Sequence, residues 1–474
     1  MASCCPAAGV AYGADGTRGA LASRRVPTIT VVVAALCAAS PAIADDTPPS
    51  DDHTAADVAR APLPGQESGR IDATHERDSV LRDIGQGVLL VPRVAVEVTM
   101  APVRASLWTF DRYRLVDRWK QIFFDDSYTY GLYPTAVLDS TYGLTVGARF
   151  VHRNLFGERE HLALRAGTGG EYRAVLRGEL QSGRRLGERT LVWSRGELER
   201  RPEDNFYGFG NQDDVHVHYR QELLRAAVSA DVRTISALHV RFAGALTDID
   251  YSESDNGSPI DEVYDPAVLT GWMEGVRNVY GELELRWDGR RLPRELDLHH
   301  VYDHGSLVSV YGGRVHQLEA GGDYWGYGGE LQHYFRLGAG PRVLSARLRL
   351  DGVTGQLEDV AFSQLPRLGG DMLLRGYPRD RFRDRVATLG SLEYTWDLGR
   401  FPMASLFVDV GRVFPSLRDV QPTDLRVGYG VSLQLHNKRD FIAVVSLASS
   451  IDGGVFVDLA FDPVFDLEPR VEQQ

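Results

Sequence analysis

Apolar and polar residues alternate one by one along much of this chain. Leu162, Leu164 and Ala166 alternate with Ala163 and Arg165. Leu283, Leu285 and Trp287 alternate with Glu282, Glu284, Arg286 and Asp288. The same pattern holds for Leu344, Ala346, Leu348 and Leu350, for Val427, Tyr429, Val431, Leu433 and Leu435, and for Val455, Val457, Leu459 and Phe461. A period of two places successive side chains on opposite faces of a β-strand. Each strand then has one apolar face and one face bearing charges of both signs. Such runs between Tyr128 and Phe461 predict about sixteen strands, an even number as single-chain membrane barrels have. A soluble sandwich would bury the apolar faces against a second sheet, whereas a membrane barrel turns them to lipid and keeps charge inside. Turns at Asn154-Leu-Phe-Gly157, Gly338-Ala-Gly-Pro341 and Asn437-Lys-Arg-Asp440 are short, and connections at 252–270 and 351–386 are long.

One stretch breaks the pattern. Residues 365–385 hold Gly369, Gly370, Gly376 and six arginines, and no apolar face is evident around Arg375-Gly376-Tyr377. Spacing alone favours a solvated basic loop. The alternative is a loop folded back into a polar cavity and anchored through Arg375.

Leu368-Gly-Gly-Asp-Met-Leu-Leu-Arg-Gly-Tyr377 resembles the loop motif of the BamA/TamA superfamily of outer-membrane barrels, also called the bacterial surface antigen family. Asn154-Leu-Phe-Gly157, Asn205-Phe-Tyr-Gly-Phe-Gly-Asn211 and Phe407-Val-Asp-Val-Gly-Arg-Val-Phe414 resemble further segments of that family, in its order. The resemblance covers roughly the last three quarters of the chain. It implies an outer-membrane β-barrel whose long extracellular loop tucks into the lumen, with its Arg paired to acids on the inner wall. It implies short turns in the periplasm and long loops outside. Family members usually end on an aromatic residue of the last strand, whereas here a polar tail follows Phe461 and Phe465.

The amino-terminal region reads as targeting sequence. Arg24 and Arg25 precede an apolar run from Ile29 to Ala39, and Ala42-Ile-Ala44 fits an A-x-A cleavage site before Asp45. Residues 1–44 are therefore expected to be a signal peptide. Residues 45–87, rich in Asp, Pro, Ala and Thr, are expected to be a flexible periplasmic leader. Its length leaves no room for the POTRA domains that well-known family members carry. Residues 88–126 place Leu107, Phe110, Leu115, Trp119 and Ile122 near helical spacing. This segment reads either as a plug at the periplasmic mouth or as a helix on the membrane surface. Residues 127–462 are assigned to the barrel and 463–474 to a tail.

Composition narrows the function. No mature stretch supplies the ~20 continuous apolar residues of a spanning helix. The 49 glycines and 20 tyrosines suit tight turns and aromatic girdles. A net charge of -13 argues against nucleic acid as a partner. All three cysteines, Cys4, Cys5 and Cys37, precede the cleavage site, which excludes disulfides and thiolate chemistry from the mature chain.

No catalytic constellation stands out. His299-His300-Val-Tyr-Asp-His304 is the densest histidine cluster and reads as rim polarity rather than a metal site. Ser405 and Ser432 lie in no nucleophile elbow, and Gly208-Phe-Gly210 precedes no phosphate-binding helix. Asp125-Asp126 and Asp213-Asp214 read as turn residues. No enzyme activity, cofactor or metal is expected.

The expected constellation is ionic. Period-two counting places Glu393 on the inner face with Ser391 and Thr395, and Asp409 with Phe407 and Gly411. The resemblance implies that both carboxylates clamp Arg375, beside Gly376 and Tyr377, with Gly369 and Gly370 shaping the loop. It also implies a role in outer-membrane protein assembly, insertion or translocation. The expected partners are membrane lipid, unfolded outer-membrane or secreted proteins and a periplasmic protein, with the barrel itself a monomer in the bacterial outer membrane. The competing readings are a passive pore or structural barrel without a client, and a soluble secreted β-protein.

Overall fold

The computed structural model describes residues 121–139, 143–212, 216–255, 259–291, 302–319, 321–338, 342–398, 402–436 and 441–460. The proposed signal peptide, leader and tail lie outside these residues, as do His299, His300, Asp213 and Asp214 and all but the end of the 88–126 segment.

Among the described residues, sixteen strands form one antiparallel sheet in sequence order. They are β1 (Tyr130–Asp139), β2 (Gly143–His152), β3 (His161–Gly169), β4 (Ala174–Gln181), β5 (Thr190–Phe206), β6 (Val217–Arg233), β7 (Leu238–Glu253), β8 (Val276–Asp288), β9 (Gly305–Gln317), β10 (Tyr324–Arg336), β11 (Arg342–Val353), β14 (Val386–Asp397), β15 (Pro402–Phe414), β16 (Arg426–His436), β17 (Phe441–Ser450) and β18 (Val455–Ala460). Between β11 and β14, the two-residue strands β12 (Arg367–Leu368) and β13 (Phe382–Arg383) form a separate small hairpin. Each long strand pairs with its chain neighbour, so every connection is a hairpin that needs no crossover.

The alternation orients the sheet as the sequence predicts. Outward residues such as Leu132, Leu224, Phe242, Leu283, Leu348, Leu392, Leu406, Val431 and Val457 are exposed. Their inward neighbours include Glu197, Glu199, Arg225, Glu282, Glu284, Glu330, Arg347, Glu393 and Asp409, all buried. A water-soluble protein reverses this distribution, since charged groups are rarely buried and large apolar surfaces rarely left open. Among the described residues no helix is long and apolar enough to cross a membrane.

The connections segregate by rim. Those at 153–160, 182–189 and 234–237 lie at one rim, here the short-turn rim. Those at 207–212, 259–275, 354–385 and 415–425 lie at the other, the long-loop rim. Pro202 interrupts β5 where its register against β6 shifts between Arg201 and Asp204. A residue without an N–H fits such a bulge.

Among the described residues β1 and β18 are the outermost strands of the sheet. No ladder joins β1 to β18 among the described residues. The outer strand β1 carries Pro134, which weakens edge pairing there because proline donates no hydrogen bond.

Residues 121–123, the described end of the candidate helix, are helical. Ile122 is exposed, but Phe124 is buried with Tyr133, Val151 and Ala163 on the inner face of β1–β3. Asp125 is a turn residue: its carboxylate accepts from the backbone N–H of Ser127 at 3.2 Å and of Tyr130 at 2.8 Å.

Candidate functional site

The 354–385 connection does not extend into solvent. Arg375 at its tip is fully buried. Its Nε donates to Asp409 Oδ2 at 2.8 Å and its Nη2 to Asp409 Oδ1 at 2.9 Å. Nη1 donates to Glu393 Oε2 at 2.9 Å. The backbone N–H of Arg375 adds a bond to Asp409 Oδ2 at 3.0 Å. Asp409 thus grips the Nε–Nη2 edge of the guanidinium bidentately, and Glu393 takes the remaining nitrogen, a geometry only a planar guanidinium provides. The charge also lies over the Phe407 ring, 3.5 Å from its centroid. Glu393 is held in turn by Gln434, whose Nε2 donates to Oε1 at 2.9 Å. Asp409 is 1% exposed and Glu393 5%. The clamp is therefore dry, and its charges compensate one another rather than being solvated.

The strands supply these groups because of their register. Ser391 pairs with Asp409 across β14 and β15, and Glu393 with Phe407. Both acids and the ring fall on one inner patch. The loop reaches that patch because two glycines remove obstacles. A Cβ on Gly428 of β16 would lie 1.7 Å from the Arg375 carbonyl oxygen. A Cβ on Gly376, which has φ +93°, would lie 2.2 Å from the Ser449 oxygen of β17. Tyr377 Oη donates to Asp452 Oδ2 at 2.8 Å, tying the motif to the turn before β18.

The loop also buries an apolar face, contrary to the reading of its sequence. Leu368, Leu374, Tyr377 and Phe382 pack with Ala387, Leu389 and Val413. These side chains follow no period. They converge because the chain turns back on itself, with Leu374 at φ +67°, Gly369 at +116° and Gly370 at +100°. Asp380, also at positive φ, accepts from Arg367 Nη1 at 3.0 Å and closes the β12–β13 hairpin.

Three motif segments meet here. Asn211, in the β5–β6 connection, donates through Nδ2 to the Val413 carbonyl at 2.7 Å and accepts from the Val413 N–H at 3.2 Å. Gly210 N–H donates to the Arg383 carbonyl at 2.7 Å. Arg383 is buried and donates to the Phe362 carbonyl at 3.0 Å. Phe362 in turn packs against Phe206 and Tyr219 beneath the long-loop rim. The fourth segment is elsewhere. Asn154 shapes a turn at the short-turn rim, accepting from the Arg159 N–H at 2.9 Å.

Comparison with solved structures identifies this architecture. The chain aligns with the crystal structure of BamA from Haemophilus ducreyi lacking POTRA domains 1-3, at a TM-score of 0.51 and 13% identity. The match covers 70% of this chain and 68% of that one. The fold is that of the BamA outer-membrane barrel. CdiB from Acinetobacter baumannii and CdiB from Escherichia coli also align, at TM-scores of 0.44 and 0.43, each with 10% identity and 70% of this chain covered. The chain spans 58% and 61% of those two. No protein-family model and no curated protein matches the sequence.

In this BamA-type barrel, several site residues escaped sequence reasoning. Arg347 on β11 is buried, donates through Nη2 to Glu330 Oε2 of β10 at 3.0 Å and reaches the Met372 carbonyl at 3.4 Å. Only its inward parity and the absence of a neighbouring acid on its own strand marked it. Gly428 was visible merely as a small residue on an inner face. The other candidate groups lie apart from the clamp. His304 bonds Asp303 near β9, where Asp303 also faces Arg336. Ser405 and Ser432 bond to each other across β15 and β16.

Proposed function

We propose that this chain is a multi-pass protein of the bacterial outer membrane, of the BamA/TamA superfamily, that inserts or translocates other proteins. Its clients would be unfolded outer-membrane or secreted chains, delivered by a periplasmic partner. The observation that carries the proposal is the Arg375 clamp inside a sheet of BamA fold. The loop is fixed to β14–β17 and to the β17–β18 turn, while β1 and β18 share no ladder among the described residues. A strand edge with unpaired N–H and C=O groups can template an incoming strand. A rigid loop beside β18 would hold one edge in shape while the other moves. The outward apolar residues supply the lipid-facing surface. No catalytic chemistry is part of this reading.

The purified chain in liposomes should speed the membrane insertion of a urea-unfolded outer-membrane protein over protein-free liposomes, and Arg375→Ala should slow it. Ion conductance without any acceleration would sink the proposal and support a passive pore.

A further inference from the structure

On the inner wall of β2–β5, away from the clamp, the ladder places like charges side by side. Arg149 pairs with Arg165, Arg165 with Arg177 and Arg177 with Glu197. Directly opposite residues on neighbouring strands have Cβ atoms ~5 Å apart, and like charges at that spacing destabilise the sheet. One acid serves this row: Arg177 Nε donates to Glu197 Oε1 at 3.0 Å. Arg149 and Arg165 have no acidic partner among the described residues, and Arg165 Nε is buried without an acceptor. Thr145 Oγ1 and His161 Nδ1, on the same inner face, are also buried without partners.

Shape accompanies charge. The inward row nearer the long-loop rim is Gly147, Gly167 and Val175, and the row nearer the short-turn rim is Val151, Ala163 and Glu179. On β2 and β3 only glycine, alanine and valine therefore stand beside the arginines along the strands, while Tyr133 of β1 lies opposite Arg149 and Glu179 stands beside Arg177 on β4. Phe124 packs with Tyr133, Val151 and Ala163 on the short-turn side of the row.

We infer that Arg149 and Arg165, with Arg177 beside them, bind a tetrahedral oxyanion of the phosphate or sulfate class in the lumen. Guanidinium forks bind such groups through paired charge-assisted hydrogen bonds, and the anion relieves the repulsion along the row. The source is either free phosphate or the phosphorylated headgroup of a lipid.

The test uses the folded full chain and its Arg149→Gln/Arg165→Gln double variant. The thermal unfolding midpoint is followed by heat-modifiable gel mobility while sodium phosphate replaces sodium chloride at constant ionic strength. A ligand that binds only the folded state raises the midpoint. Phosphate also stabilises proteins generally by exclusion from their surface, so the double variant supplies the baseline. The wild-type midpoint should rise and saturate, and the variant should keep only the unsaturated part. Loss of two charged donors should weaken binding at least ~tenfold. In chloride the variant should unfold no earlier than wild type, because the like-charge contact is gone. A second arm compares phosphatidylglycerol with phosphatidylcholine vesicles. A rise confined to the former, and lost in the variant, assigns a headgroup rather than free phosphate. A wild-type response that saturates in neither arm, or one the variant shares, overturns the site. Should the variant not fold, wild-type saturation and its competition by sulfate decide the matter.

Discussion

Arg375 is a cation held out of water by two carboxylates and a ring, and its own backbone N–H donates to one of those carboxylates. Arg375→Ala leaves Glu393 and Asp409 buried, close together and uncompensated. Breaking one side of such a pair typically costs ~3–5 kcal/mol, and the dryness of this clamp favours the upper part of that range. Arg375→Lys should rescue little, because an ammonium cannot span both carboxylates in one plane. Glu393→Gln should be milder, since Asp409 retains both of its side-chain bonds. Protease sensitivity of residues 365–385 in assembled barrels reads all three. Protection in Arg375→Ala equal to wild type would mean that the clamp does not hold the loop. Backbone contact makes a separate demand. Gly428→Ala puts a methyl group where the Arg375 carbonyl lies and should release the loop even with every charge intact. Gly312→Ala, with nothing within 4 Å of the added carbon, is the matched control and should change nothing.

At the level of elements, the β12–β13 hairpin depends on Asp380. Burial alone would raise its carboxyl, but the guanidinium groups of Arg367, Arg383 and Arg379 outweigh that and hold it below the ordinary Asp range. A depressed folded-state pKa gives stability that is present above the unfolded value, ~3.9, and lost as pH falls through the folded one. Protease protection of the hairpin should therefore decline on the acid side, below pH ~4. Asp380→Asn should be less protected at neutral pH and lose that acid-side dependence. A wild-type profile flat down to the lowest pH at which the barrel stays folded would contradict this account. The hairpin also marks where the sequence stops being legible. The inward places of Glu393 and Asp409 follow from period two, because a strand's geometry is local. Leu368, Leu374 and Phe382 share a face only after five residues of this stretch adopt positive φ, and no periodic pattern encodes that. Asn211 meets Val413 across 202 residues, a contact no local rule anticipates.

For the whole molecule, the apolar belt and the charged interior form one design. Leu283→Arg on β8 should cost ~2–4 kcal/mol if its site lies near the bilayer midplane. Gln181→Lys, on the inner face of β4 beside Glu179, should be tolerated. Urea titration of barrels folded into vesicles compares the two, and equal penalties would contradict the division of the faces. That division was readable from alternation alone, as was the approximate strand number. That β1 and β18 share no ladder among the described residues was not, because strand pairing between chain ends leaves no mark in either strand's own pattern.

The loop's contacts also carry an order in time. Glu393, Asp409, Val427, Gly428, Ser449 and Asp452, which receive the tip, all come later in the chain than Arg375 itself. A chain that stops before β17 has the arginine but only part of its seat. Loop closure must bring distant segments together before the contacts reward it. Full docking of the tip therefore requires that the chain through β17 and the turn after it is already in place.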